Sequence, residues 1–227
     1  MLGNGKSDFK QDNTLILKRV FFSWNNREKF IINNCSFSVF EKGLYMVVGK
    51  NGCGKSTLLK LIQGVIRPTK GSLYSPPNIS MVFQNPDHQI LMPTCRSELI
   101  LNIKENISKR DIEFKVSKVL LSVGLEEFIN RPVHTLSGGQ KQRLAIASAL
   151  ISGSNFIVMD EPTALLDECS QRQILTLIRS LINNQKLNIT VLWITHRLEE
   201  LVYADKVALM QNGTLLEWEN PNNFKYK

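Results

Sequence analysis

The most constraining feature of the sequence is the run Gly49-Lys50-Asn51-Gly52-Cys53-Gly54-Lys55-Ser56-Thr57, which fits G-x-x-x-x-G-K-[ST]. Glycines at these spacings let the backbone curl until successive N–H groups point at one anion. A helix beginning at Lys55 adds the positive end of its dipole. Upstream, Leu44 to Val48 is a short unbroken apolar run, as a buried central strand requires. Downstream, Lys55 to Gln63 carries Leu58, Leu59 and Ile62 at helical spacing. Strand, glycine-rich turn and helix together predict a phosphate-binding loop for ATP. Lys55 would meet the β- and γ-phosphates, and the Ser56 hydroxyl would reach Mg²⁺. At Cys53 a small residue suffices, although the helix terminus and Lys55 could also activate the thiol.

The rest of the chain alternates strands and helices around this loop. Strands are predicted at Leu15 to Phe22, Cys35 to Phe40 and Ile79 to Phe83, and as buried apolar runs at Phe156 to Met159 and Ile189 to Ile194. Helical periodicity marks Arg96 to Ile103, Asp111 to Val123, Gly139 to Ile151 and Glu168 to Ile182. Lys206 to Met210 and Thr214 to Trp218 flank Asn212-Gly213, a hairpin signal. The pattern predicts one α/β domain over residues 1–227, with an N-terminal β part and an all-helical insert at roughly 95–150.

Composition excludes several classes. With 43% hydrophobic and 21% charged residues the chain is neither disordered nor fibrous. No apolar run approaches the ~18 residues of a membrane span, and Met1 to Asn13 lacks the apolar core of a signal peptide. The four cysteines, at 35, 53, 95 and 169, form no CxxC pair, which argues against a zinc site or a disulfide framework. The net charge of +8 is dispersed rather than clustered, so it reads as solvated surface, with attraction to an anionic membrane as a second reading and no nucleic-acid partner expected.

Two further runs carry chemistry. Phe156-Ile157-Val158-Met159-Asp160-Glu161 is an apolar strand ending in two carboxylates. Such a pair is as often structural as functional. Beside a phosphate-binding loop, however, it offers Asp160 to Mg²⁺ and Glu161 to an attacking water. Leu136-Ser137-Gly138-Gly139-Gln140 opens an amphipathic helix and forms a second anion-binding terminus. One triphosphate does not need two such sites in one protomer, so this terminus is expected to serve a nucleotide held by another subunit.

The ordered set of this loop, Gln84, LSGGQ, FIVMDE and His196 resembles the ATP-binding cassette (ABC) ATPases from about Leu15 to Trp218. The resemblance implies a P-loop NTPase cassette with a RecA-like core, an antiparallel β part and a helical subdomain. It implies that Gln84 is a lid glutamine near the Mg²⁺ and water, that Asp167 communicates across a dimer, and that His196 contacts the γ-phosphate. Trp24 falls where the family has a tyrosine stacking on adenine; a core or rim tryptophan is the competing reading. Met81-Val82-Phe83-Gln84-Asn85-Pro86-Asp87-His88-Gln89-Ile90 looks like the energy-coupling factor subfamily, including cobalt/nickel transport ATPases. That likeness implies a second ABC ATPase subunit, as a homo- or heterodimer, an integral-membrane transport scaffold and a substrate-binding membrane component. The chain would then sit peripherally at the cytoplasmic face of the cell membrane and power uptake of a transition-metal ion or vitamin. The alternative is a soluble ABC ATPase with a regulatory or assembly role. A kinase or GTPase is disfavoured, since LSGGQ has no role there and no Asn-Lys-x-Asp run exists. The shortness of Gly71 to Gln84 suggests that part of the small antiparallel sheet is trimmed, and no long extension follows Trp218.

Overall fold

The computed structural model describes residues 14–25 and 29–226. The polar segment 1–13, read above for the absence of a signal peptide, lies outside the described residues. At the centre is a six-stranded sheet in the order β5-β6-β7-β3-β8-β9. Its strands are β3 (Leu44–Val48), β5 (Ile79–Val82), β6 (Phe156–Asp160), β7 (Thr190–Thr195), β8 (Lys206–Gln211) and β9 (Thr214–Leu215). All neighbours run parallel except β8 and β9, which form the Asn212-Gly213 hairpin. Every residue of β3 and β7 is buried, which explains their continuous apolar character.

Alternate residues of these strands enter two separate cores. Met46, Val48, Met159 and Trp193 pack with α2 (Cys95–Leu101), α3 (Lys109–Ser122), α4 (Gly138–Ile151) and α5 (Glu168–Asn183). On the other face Tyr45, Val47, Val158 and Ile194 pack with α1 (Lys55–Ile62) and with β1 (Leu15–Phe22) and β2 (Ile32–Val39). The stretch between β5 and β6 therefore forms helices sharing one core with the sheet.

The antiparallel sheet has the order β2-β1-β4, and β4 (Lys70–Tyr74) corrects the expectation of trimming. Ile16 pairs with Tyr74 and Lys18 with Ser72, so the short segment does supply a third strand. Only Leu73 of β4 is even partly buried, and an edge strand without apolar alternation leaves no periodic signal. A second difference lies at the closing hairpin. After Leu215 the pairing becomes irregular: Leu216 N–H donates to the Leu209 carbonyl (2.9 Å) and Glu219 bridges to Val207, while Trp218 packs edge-on against Phe37 and Tyr45, its Nε1 donating to the Ser38 carbonyl at 3.0 Å.

Candidate active site

Strand register brings most of the sequence-derived residues together. Val48 pairs with Thr195 and Asp160 with Ile194, so the chain leaves β3, β6 and β7 side by side at one edge of the sheet. Those exits carry Gly49–Thr57, Asp160-Glu161 and His196. The C-terminal edge of a parallel sheet is where this class of fold binds its ligands.

In the loop, α1 begins after Gly54, whose φ of +111° is a left-handed conformation natural to glycine. No side chain caps α1, and its first turn holds no acidic residue, which leaves its N–H groups for an incoming anion. Lys55 is buried and donates to the carbonyls of Gly49 (2.8 Å) and Lys50 (3.2 Å). Ser56 is exposed, and Thr57 and Cys53 are half-buried. The Cys53 carbonyl accepts from Gly213 N–H at 3.1 Å, so the hairpin turn grips the loop from outside. Asn212-Gly213 signals the turn in the sequence, but no local pattern signals its contact with the loop.

Burial pushes the Asp160 carboxyl up, the neighbouring Glu161 charge adds to the rise, and Lys55 opposes it. Glu161 follows at φ +46°, a strained conformation for a residue other than glycine. Its N–H donates to the Ile194 carbonyl (2.9 Å), and its own carbonyl accepts from Ala164 N–H (3.0 Å). The Glu161 carboxylate lies 3.0 Å from His196 Nδ1, a half-exposed ring beside a largely covered acid. The Asp160 and Glu161 carboxylates, the His196 imidazole and the glycine-rich loop thus share one edge of the sheet.

Gln84 is exposed, on a loop tied to α4. Gln142 Nε2 donates to the Phe83 carbonyl (3.1 Å), and Lys141 pairs with Asp87 at 2.7 Å. Trp24 is not a core residue: it is 55% exposed, edge-on to Phe22 at 5.1 Å, with Lys60 Nζ 5.5 Å above its ring. The ring therefore stands at the rim beside α1.

Ser137–Gln140 and Asp167 form a second cluster. Ser137 and Gln140 make a reciprocal capping box at the start of α4. A side chain on Gly138 would meet Leu166 at 3.4 Å, and one on Gly139 would meet Ser170 Oγ at 2.9 Å. Ser170 in turn donates its N–H and hydroxyl to Asp167, at 2.9 and 2.6 Å, which caps α5 and holds the Asp167 carboxyl below its usual range. Gly138 and Gly139 thus face Leu166 and Ser170, at the start of α5.

The family model described as ABC transporter matches residues 32–164, more than half of the sequence. The chain belongs to the ABC transporter family. As a member of it, the protein is an ATPase with an ATP-binding cassette fold. Among its relatives is "ABC transporter I family member 10" of Arabidopsis thaliana, 39% identical over 94% of this chain and 81% of the relative. Another is the "Energy-coupling factor transporter ATP-binding protein EcfA1" of Mycoplasmoides gallisepticum, 33% identical over 96% and 82%. Among solved structures, CbiO1 of Clostridium perfringens, described as part of the ABC transporter complex cbiONQ, superposes with a TM-score of 0.86. It is 26% identical and covers 93% of this chain and 90% of its own. This ABC ATPase is thus similar to energy-coupling factor transporter ATP-binding proteins, as its own motifs suggested, and to CbiO1 of the cbiONQ complex.

Proposed function

We propose that this ATPase powers an energy-coupling-factor-type importer by closing head to tail with a second cassette on two ATP molecules. The observation that carries the proposal is the separation of two clusters. The loop, Asp160, Glu161 and His196 meet at one sheet edge, whereas Ser137–Gln140 pack against the start of α5. Each nucleotide would lie between Gly49–Thr57 of one subunit and Ser137–Gln140 of the other.

The donor set fits a magnesium–triphosphate. Ser56, Asp160 and Gln84 offer hard oxygen ligands for Mg²⁺, which when bound neutralises phosphate charge. Around it the chain's own residues do the work. Loop N–H groups and Lys55 bind the phosphates, and Trp24 stacks on the adenine. Glu161 polarises the attacking water, while His196, 3.0 Å away, orients it and faces the γ-phosphate. Asp167, from its place as the cap of α5, carries the state of one site to the other.

Coupling to the membrane would run through the Gln84 loop. Just beyond it Leu91 is 77% exposed, on a turn held by the buried Glu98, which accepts from the N–H groups of Leu91 (2.9 Å) and Met92 (3.0 Å). A groove of about 320 Å³ beside it, lined by Leu91, Met92, Pro93, Val133 and His134 among others, suits a helix of the integral-membrane scaffold. Among the described residues no helix is long and apolar enough to cross a membrane, which fits peripheral attachment at the cytoplasmic face. A substrate-binding membrane component would select the cargo, a transition-metal ion or a vitamin.

The test is Glu161→Gln, expected to bind ATP, hydrolyse it at least ~100-fold more slowly and accumulate as a closed dimer. Rapid turnover by this variant would overturn the mechanism. The importer role is tested by co-purification from detergent-solubilised membranes; recovery without any polytopic partner would contradict it.

A further inference from the structure

We infer that Glu200 is a positioning residue that clasps the loops bearing Glu161 and His196 into register. The inference rests on the hydrolytic pairing proposed above and concerns side chains to which that reading gives no role.

Glu200 lies in the turn Leu198–Tyr203 and is 2% exposed. A carboxylate buried to that extent is unfavourable unless its oxygens find donors. Both do. Oε1 accepts from the Thr163 hydroxyl, and Oε2 accepts from Trp193 Nε1 at 3.0 Å. Thr163 and Trp193 are themselves buried, at 1% and 0%. Among the described residues, no Lys, Arg or His forms an ion pair with Glu200. An apolar side chain of similar size would fill the same space without desolvating a charge, so packing alone does not account for it.

The two donors explain what the carboxylate connects. Thr163 follows Glu161 by two residues on the loop leaving β6. Trp193 precedes His196 by three on β7. One side chain therefore bridges the segments that carry the two halves of the 3.0 Å Glu161–His196 contact. Glu161 also needs such a bridge, because its left-handed φ of +46° persists only where surrounding bonds over-determine the turn. The backbone supplies one tie, from Glu161 N–H to Ile194 O at 2.9 Å. The clasp supplies a second, from the opposite side of the same turn. Without it the strained turn can relax, and the carboxylate drifts from the imidazole.

The test uses the full chain as Thr163→Val, which keeps the shape and removes the hydroxyl, and as Thr163→Ser, which restores it. Should Thr163→Val not fold, Thr163→Ala carries the same expectation. Small displacements of catalytic groups are expensive, so kcat should fall ~10- to 100-fold with the KM and Kd for ATP unchanged within about twofold. Thr163→Ser should recover to within about threefold of wild type. In a His196→Ala background, Thr163→Val should produce no further fall. A Thr163→Val protein with a lower unfolding midpoint and wild-type kcat would reduce the clasp to packing and overturn the inference, as would full additivity with His196→Ala. Glu161→Gln separates the two levels. If it is inactive while Thr163→Val is fully active, the clasp alone fails; if it hydrolyses ATP normally, the underlying pairing fails.

Discussion

Gly213→Ala tests how the phosphate loop is held. Asn212 and Gly213 form the β8–β9 turn with φ values of +50° and +79°, the two left-handed positions that such hairpins demand. Gly213 makes two bonds that matter to the site: its N–H donates to the Cys53 carbonyl at 3.1 Å, and its carbonyl accepts from Asn33 N–H at 2.9 Å. A methyl group there would sit 2.1 Å from the Ile31 carbonyl oxygen, far inside contact distance. Either the hairpin or the Ile31 segment must retreat by roughly 1 Å, and overpacking of that kind costs ~1–3 kcal/mol. A left-handed alanine adds ~1 kcal/mol, and losing both hydrogen bonds adds ~1 kcal/mol each. The sum is about 4–6 kcal/mol, a large share of the ~5–15 kcal/mol available to a domain. Freeing the Cys53 carbonyl also loosens the loop, so ATP affinity should drop ~5- to 10-fold in whatever protein remains folded. Urea unfolding measures the first effect and titration with a fluorescent ATP analogue the second. A Gly213→Ala protein within ~1 kcal/mol of wild type that binds ATP equally well would refute the reasoning.

Asp160→Asn should raise the unfolding midpoint of the nucleotide-free protein at neutral pH while abolishing Mg²⁺-dependent hydrolysis. The Asp160 carboxyl titrates above its ordinary value, so its stabilising contribution is full below the unfolded pKa and is lost as pH rises through the folded one. The advantage of the asparagine variant should therefore shrink as pH falls toward the carboxylate range, which melting curves from about pH 8 to pH 4 would follow. Trp24→Ala should weaken ATP binding ~5- to 10-fold with little change in kcat, measured by the same nucleotide titration. Ser137→Ala removes one half of the capping box and should destabilise α4 by ~1 kcal/mol, read as a lower urea midpoint.

The sheet edge was legible in advance because its strands are buried on both faces. β3 and β7 read as continuous apolar runs, and every residue of both is buried. The same logic fails at β4, an exposed edge whose Gly71 and Ser72 give no alternation, and at Trp218, whose ring covers Phe37 and Tyr45 where the hairpin pairing turns irregular. Ser137–Gln140 could be recognised as a helix terminus, but its contact with Ser170 depends on how α4 meets α5. Asp167 is the instructive case: resemblance gives it a part in communication between subunits, and the structure adds that its carboxylate is already committed to capping α5. The bonds from Gly213 to Cys53 and from Thr163 to Glu200 join residues distant in sequence, and no local pattern encodes such pairings.

The central claim is that a second copy of this chain can complete each ATP site, and the mass of Glu161→Gln in solution tests it most directly. Light scattering at saturating ATP and Mg²⁺ should give twice the 25.8 kDa of the single chain, falling back to one chain when nucleotide is removed. Adding Ser137→Arg to that variant should leave ATP bound but the mass at one chain, because the arginine blocks the helix terminus that would cover the partner's phosphates. ATP-loaded Glu161→Gln that stays at 25.8 kDa, or a doubled mass untouched by Ser137→Arg, would contradict the account.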